Sequence, residues 1–92
     1  MTDAEGMSAT QQRSTDIVAG PGGVMTDEAG VVTGELTLRT EVDGAKNVVL
    51  RVQYKGAAEW YGVTGGRATL VDPGDLDAVH TIATCLLHRP EG

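Results

Sequence analysis

The sequence predicts an α+β domain: three or four antiparallel strands in a meander, followed by one C-terminal helix packed on one face of the sheet. From residue 31 to residue 71, apolar side chains recur at every second position, the period of a half-buried strand. Short turns containing Asp, Gly or Lys divide that stretch into separate runs. Beyond residue 72 the apolar spacing changes to three and four, the period of a helix.

Residues 1–30 hold neither period, and Gly20-Pro21-Gly22-Gly23 interrupts whatever Ile17, Val18 and Ala19 begin. The expectation is a disordered, acidic, Gly-rich leader over 1–30 and a folded domain over 31–92. Residues 1–6 (MTDAEG) are nearly repeated at 25–30 (MTDEAG). Chance in a low-complexity leader accounts for this; the alternative is that Met25 is a start of translation.

The first strand is expected at about 32–42, with Val32, Leu36, Leu38 and Val42 on one face and Glu35, Thr37, Arg39 and Glu41 on the other. Asp43-Gly44 supplies a turn. The second strand, about 47–55, turns Val48, Leu50, Val52 and Tyr54 inward and Arg51, Gln53 and Lys55 outward. After a turn at 55–58, residues 59–64 form a third strand, Gly65-Gly66 another turn, and 67–71 a short edge strand. A helix is expected over about 73–88: Asp72 caps it, Pro73 suits its first turn, and Asp75 places negative charge at its positive end. Leu76, Val79, Ile82, Ala83 and Leu86 form its apolar stripe, expected to pack on the sheet.

Ninety-two residues suffice for one domain, near the size at which a single core is barely enough, so self-association is expected. The 13 acidic residues outnumber the 7 basic ones for a net charge of −6, which opposes nucleic acid and anionic membrane. Most of the excess lies in 1–30, where five acids meet only Arg13. The remainder is nearly balanced and leaves room for a local basic face. Cys85 is alone, and neither a secretory signal nor a long apolar run is present, so the cytoplasm is the expected compartment. Abundant Gly, Ala, Val, Asp and Arg with scarce Lys and no Phe suits a GC-rich bacterial genome.

His80, Cys85 and His88 are the candidates for metal binding or nucleophilic chemistry, yet one helix fans them over almost half its circumference and separates the two histidines by about 12 Å. No metal site and no cofactor is expected from them. Cys85 lies opposite Leu76 around the helix and is expected to be exposed. His80 with Asp77 one turn earlier could serve acid–base chemistry, though a helix-surface pair is the commoner reading. Neither Gly20–23 nor Gly65-Gly66 joins a strand to a helix, so no phosphate loop is expected.

Trp60 is singled out because alternation places it on the outer face, near Val49, Arg51 and Gln53, provided Tyr61 and Val63 point in; a bulge at Gly56 or Gly62 would reverse this. Arg39 and Arg51, on adjacent strands, could complete a small basic face, or simply pair with Glu35, Glu41 and Glu59, which is the commoner arrangement. The expected function is a non-catalytic interaction or regulatory module acting through Trp60, Arg51, Gln53, Val49 and Arg39, on a protein partner or on a second copy as a homodimer. One alternative is a platform for single-stranded nucleic acid, with Trp60 or Tyr61 stacking bases and Arg39, Arg51, Lys55 and Arg67 on phosphates, which the acidity disfavours. Another is a small enzyme or accessory subunit using His80 with Asp77 or Cys85.

Overall fold

The computed structural model describes residues 9–90. Its central hairpin follows from the strongest alternation in the chain. Strand β2 (Gly30–Asp43) and strand β3 (Asn47–Tyr54) pair antiparallel from Leu36 opposite Tyr54 to Val42 opposite Val48, without a register shift. Leu36, Leu38, Val42, Val48 and Val52 are buried on one side of this ladder. Tyr54 shares their parity but stays 42% exposed at the end of the strand. Asp43 builds the turn, its carboxylate accepting the backbone N–H groups of Ala45 and Asn47 at 2.9 Å each, and those bonds hold its pKa below the ordinary value.

The expected disorder over 1–30 is corrected for residues 9–30. Ala9–Thr26 is strand β1, antiparallel to β2, and it gives Ile17, Ala19 and Val24 to the core. Residues 1–8 lie outside the described residues. The Gly20-Pro21-Gly22-Gly23 segment does not end the strand but bulges it: Ala19 faces Gly34 and Val24 faces Val32, so five steps on β1 match two on β2. Three extra residues reverse the parity, so Ile17 and Ala19 point inward before the bulge and Val24 and Thr26 after it. Gly23 has φ +61°, and a Cβ there would sit 2.5 Å from the Val32 carbonyl oxygen, so glycine alone fits.

The same device corrects the other end of the sheet. The expected third and fourth strands are one, β4 (Tyr61–Thr69), and Gly65-Gly66 is a bulge within it, not a turn. Arg51 faces Gly62 and Val49 faces Arg67, again five steps against two. The four-stranded antiparallel meander is then closed into a barrel where Thr26 of β1 pairs with Val63 of β4. The β1–β2 turn fastens that corner: Asp27 N–H donates to the Gly62 carbonyl at 2.9 Å, and the Glu28 carboxylate accepts the Gly62 N–H at 2.8 Å.

Asp72 accepts the Gly74 N–H at 2.8 Å and starts a single 3-10 turn, Pro73–Asp75, that leads into helix α1 (Leu76–Leu87). The buried face of α1 is Leu76, His80 and Ala83, with Val79 and Leu87 packed at its margins. Ile82 and Leu86, expected in the buried stripe, are 61% and 65% exposed. His80 takes the core position between Leu76 and Ala83 that aliphatic periodicity alone assigns elsewhere. Beyond the helix the chain joins β1: Arg89 N–H donates to the Val18 carbonyl at 2.7 Å, Gly20 N–H to the Arg89 carbonyl at 3.1 Å, and Val18 N–H to His88 Nδ1 at 3.0 Å. Among the described residues no helix is long and apolar enough to cross a membrane.

Two stability predictions follow from β1. Gly23→Ala combines positive φ with a backbone clash and should cost about 2–4 kcal/mol in urea unfolding, whereas Gly22→Ala, with φ +91° and open space around it, should cost only about 1 kcal/mol. A chain starting at Met25 lacks Ile17, Ala19 and Val24 and should give the circular dichroism of an unfolded polypeptide.

Candidate functional site: the outer face of the sheet

The outer face is set by β2 and β3. With Leu38 and Val52 paired and buried, the neighbouring pair Arg39 and Arg51 stands on the opposite side, directly across the ladder, with Thr37 opposite Gln53 and Glu41 opposite Val49 flanking it. Like charges directly opposite are unfavourable. Glu41 resolves the conflict: Arg39 Nε donates to its Oε2 at 2.7 Å, and Arg51 Nε to its Oε1 at 3.3 Å. The Glu41 side chain is only 12% exposed, so this bridge is better shielded from solvent than an ordinary surface pair.

Trp60 completes the group. Val52 faces Tyr61 and Arg51 faces Gly62, which turns Tyr61 and Val63 toward the core and leaves Trp60 on the outer face. There the Arg39 guanidinium carbon lies 4.0 Å from the Trp60 ring centroid, a cation–π stack. Arg39, Arg51, Trp60, Gln53 and Val49 therefore share one surface, and Val49 borders a shallow depression of ≈ 360 Å³ with Asn47, Arg67 and Thr69. Both arginines spend Nε on Glu41, and their terminal NH2 groups make no hydrogen bond to any described residue. Of the expected glutamate partners, Glu41 takes both arginines, whereas the Arg39–Trp60 stack was not foreseen, because it depends on where the residues before β4 bring the indole.

The alternative trio does not assemble. His80 is not a surface partner of Asp77 but is buried, 9% exposed, between α1 and the β1–β2 ladder. Its Nε2 lies 2.7 Å from the Thr15 hydroxyl and its Nδ1 2.7 Å from the Thr40 hydroxyl. In a neutral imidazole one nitrogen donates and the other accepts, and two rotatable hydroxyls satisfy both. Asp77 instead receives Arg13 Nε at 2.6 Å, and Cys85 is exposed. Among the described residues no group of three or more His, Cys, Asp or Glu side chains is placed to hold a metal ion.

The cations proposed for phosphate contact are likewise engaged, Lys55 with Asp16 at 3.7 Å and Arg67 with Asp27 at 3.8 Å. Tyr61 packs against the core and its hydroxyl donates to Glu59 at 3.0 Å, a bond that raises its pKa. Fold and surface together define a small α+β domain, a coiled four-stranded antiparallel sheet with one helix over its inner face. No family model, curated protein or solved structure matches the chain.

Burial holds the His80 imidazole below its ordinary pKa of 6.5, aided by the Arg13 charge and opposed by Asp77. The unfolded chain therefore takes up a proton near pH 6.5 that the folded chain accepts only at lower pH. His80's contribution should be complete above about pH 6.5 and fall away as pH drops below it toward the folded-state pKa. Urea midpoints from pH 8 to 5 check this against His80→Gln, whose curve should be flatter. Thr40→Val leaves one ring nitrogen without its partner and should cost about 1–3 kcal/mol.

Proposed function

We propose that the protein is a non-catalytic interaction module that holds a protein partner on the outer face of its sheet, through Arg39, Arg51 and Trp60. The observation that carries this is the pair of guanidinium groups from neighbouring strands anchored on one carboxylate, with Trp60 stacked on one of them. Two positive charges against one negative leave the cluster locally cationic on an acidic protein. Packing, the ladder and Glu41 fix the side chains in advance, which lowers the ordering cost of binding. Tryptophan and arginine are the residues that most often dominate contact energy. The partner chemistry this fits is an acidic peptide segment, a carboxylate on the free NH2 groups and a flat or apolar side chain beside Trp60.

The dispersal of His80, Asp77 and Cys85 supports contact over acid–base or nucleophilic chemistry. Against a nucleic-acid platform stand the net charge of −6, the engaged Lys55 and Arg67, and the placement of the two tyrosines on the inner parity of the sheet, away from Trp60. An exposed, unpaired Cys85 suits a reducing compartment such as the cytoplasm.

Trp60 is the sole tryptophan, so its fluorescence reports on this face directly. Titration with an octa-glutamate peptide should give a saturable change that an octa-glutamine peptide does not, and Arg51→Glu should weaken it at least about tenfold. An oligothymidylate should leave the emission unchanged. Emission that responds to the oligonucleotide and not to the acidic peptide would overturn this reading in favour of nucleic acid.

A further inference from the structure

Helix α1 ends at Leu87, and His88 leaves it extended (φ −83°, ψ 104°) while its N–H still closes the last turn on the Thr84 carbonyl at 2.9 Å. The next residue lies along the edge of β1 that does not face β2. Arg89 N–H donates to the Val18 carbonyl at 2.7 Å, and Gly20 N–H donates to the Arg89 carbonyl at 3.1 Å, the bond pattern of a parallel strand laid beside Ala19. Pro90 follows where the N–H of such a strand points away from its neighbour, so its missing donor costs no bond.

A longer parallel strand would satisfy the Val18 N–H with the carbonyl of residue 87. That carbonyl belongs to the helix, and His88 Nδ1 takes its place, accepting the Val18 N–H at 3.0 Å. The exchange alters the chemistry of the bond. A carbonyl accepts at every pH, whereas a ring nitrogen accepts only through its lone pair, and an imidazolium has none. A backbone N–H cannot reverse its role, so a protonated His88 sets two donors against each other. His80 differs, because both of its partners are hydroxyls, which rotate to accept from an imidazolium.

The surroundings offer a protonated His88 no compensation. Arg89 adjoins it in the chain. On β1, Arg13 is held by Asp77 of α1 and Asp16 by Thr37 and Lys55, and Glu35 of β2 stands across the ladder from Val18. Among the described residues no carboxylate forms an ion pair with the His88 ring.

We infer that His88 is an acid-released latch: its neutral imidazole lets residues 88–89 strap the end of α1 to the β1 edge at Val18–Gly20, and protonation of the ring opens the strap while the sheet stays folded. Opening loosens the last turn of α1, where Leu87 packs against the core, and uncovers the backbone groups of Val18 and Gly20. None of Arg39, Arg51 or Trp60 takes part, so the latch is independent of whatever the outer face binds.

Amide hydrogen exchange followed by NMR on the full chain, from about pH 8 to 5, reads the latch directly. Protection of the Val18 amide, corrected for the intrinsic pH dependence of exchange, should fall at least about tenfold in step with titration of the His88 ring, while amides of the β2–β3 ladder keep theirs. His88→Asn, whose amide oxygen accepts at every pH, should remove the pH dependence of Val18 protection, and His80→Gln should leave it in place. Three results would overturn the inference: Val18 protection that does not change across the His88 titration, protection lost only together with that of the β2–β3 ladder, or a pH dependence that survives His88→Asn and disappears in His80→Gln.

Discussion

The rest of the structure depends on two glycine-rich bulges, one in β1 and one in β4, that bend the outermost strands until they touch. A four-stranded sheet of ordinary twist leaves two open edges, each a row of unpaired backbone groups. Here three surplus residues at 20–23 and again near Gly65-Gly66 sharpen the coiling, and Thr26 reaches Val63. The close approach of Gly23 to the Val32 carbonyl shows how little room the first bend has. Closure at that corner gives the concave side its depth, and α1 occupies the remaining opening with Leu76, His80 and Ala83.

Coiling also shapes the outer face. Trp60 stands immediately before β4, next to the closing corner at Gly62 and Val63, with its ring against the Arg39 guanidinium. Glu41 is the keystone of that surface, one carboxylate reconciling two arginines that the ladder forces into opposition. The inner face solves the converse problem: a polar ring sits among aliphatic residues, and two threonine hydroxyls make it tolerable.

The β2–β3 hairpin, the inward Tyr61 and Val63, and the Asp72 cap were legible because each is a local signal: a period of two, a turn residue, a capping residue. Strand β1 was not. Its inward positions are odd up to Ala19 and even from Val24, so no window of constant parity spans it, and glycines that mark a bulge look the same as glycines that end a strand. The division of β4 at Gly65-Gly66 failed for the same reason. On the helix, hydrophobicity nominated Ile82 and Leu86 for burial, whereas the hydroxyls of Thr15 and Thr40, distant in sequence, made His80 the better core residue. Of the two orientations the sequence left open for Trp60, the structure takes the outer one, because its neighbour Tyr61 precedes the bulge, where parity still holds. Glu41 as a shared anchor depends on cross-strand register and on the Trp60 loop, neither of which is encoded locally.

The seam between Arg89 and the Val18–Gly20 segment joins residues some seventy positions apart. Together with the β1–β4 corner it makes this a domain whose first and last described segments are neighbours. Closing so long a loop is entropically costly, and the successive hairpins shorten it as they form. On the ribosome, β1 can pair with β2 and β2 with β3 as each is made, but the free edge of β1 stays unpaired until β4 closes the corner at Val63 and residue 89 reaches Val18. The chain is thus born with one open strand edge, and its exposure to misplaced strand pairing is concentrated in that interval.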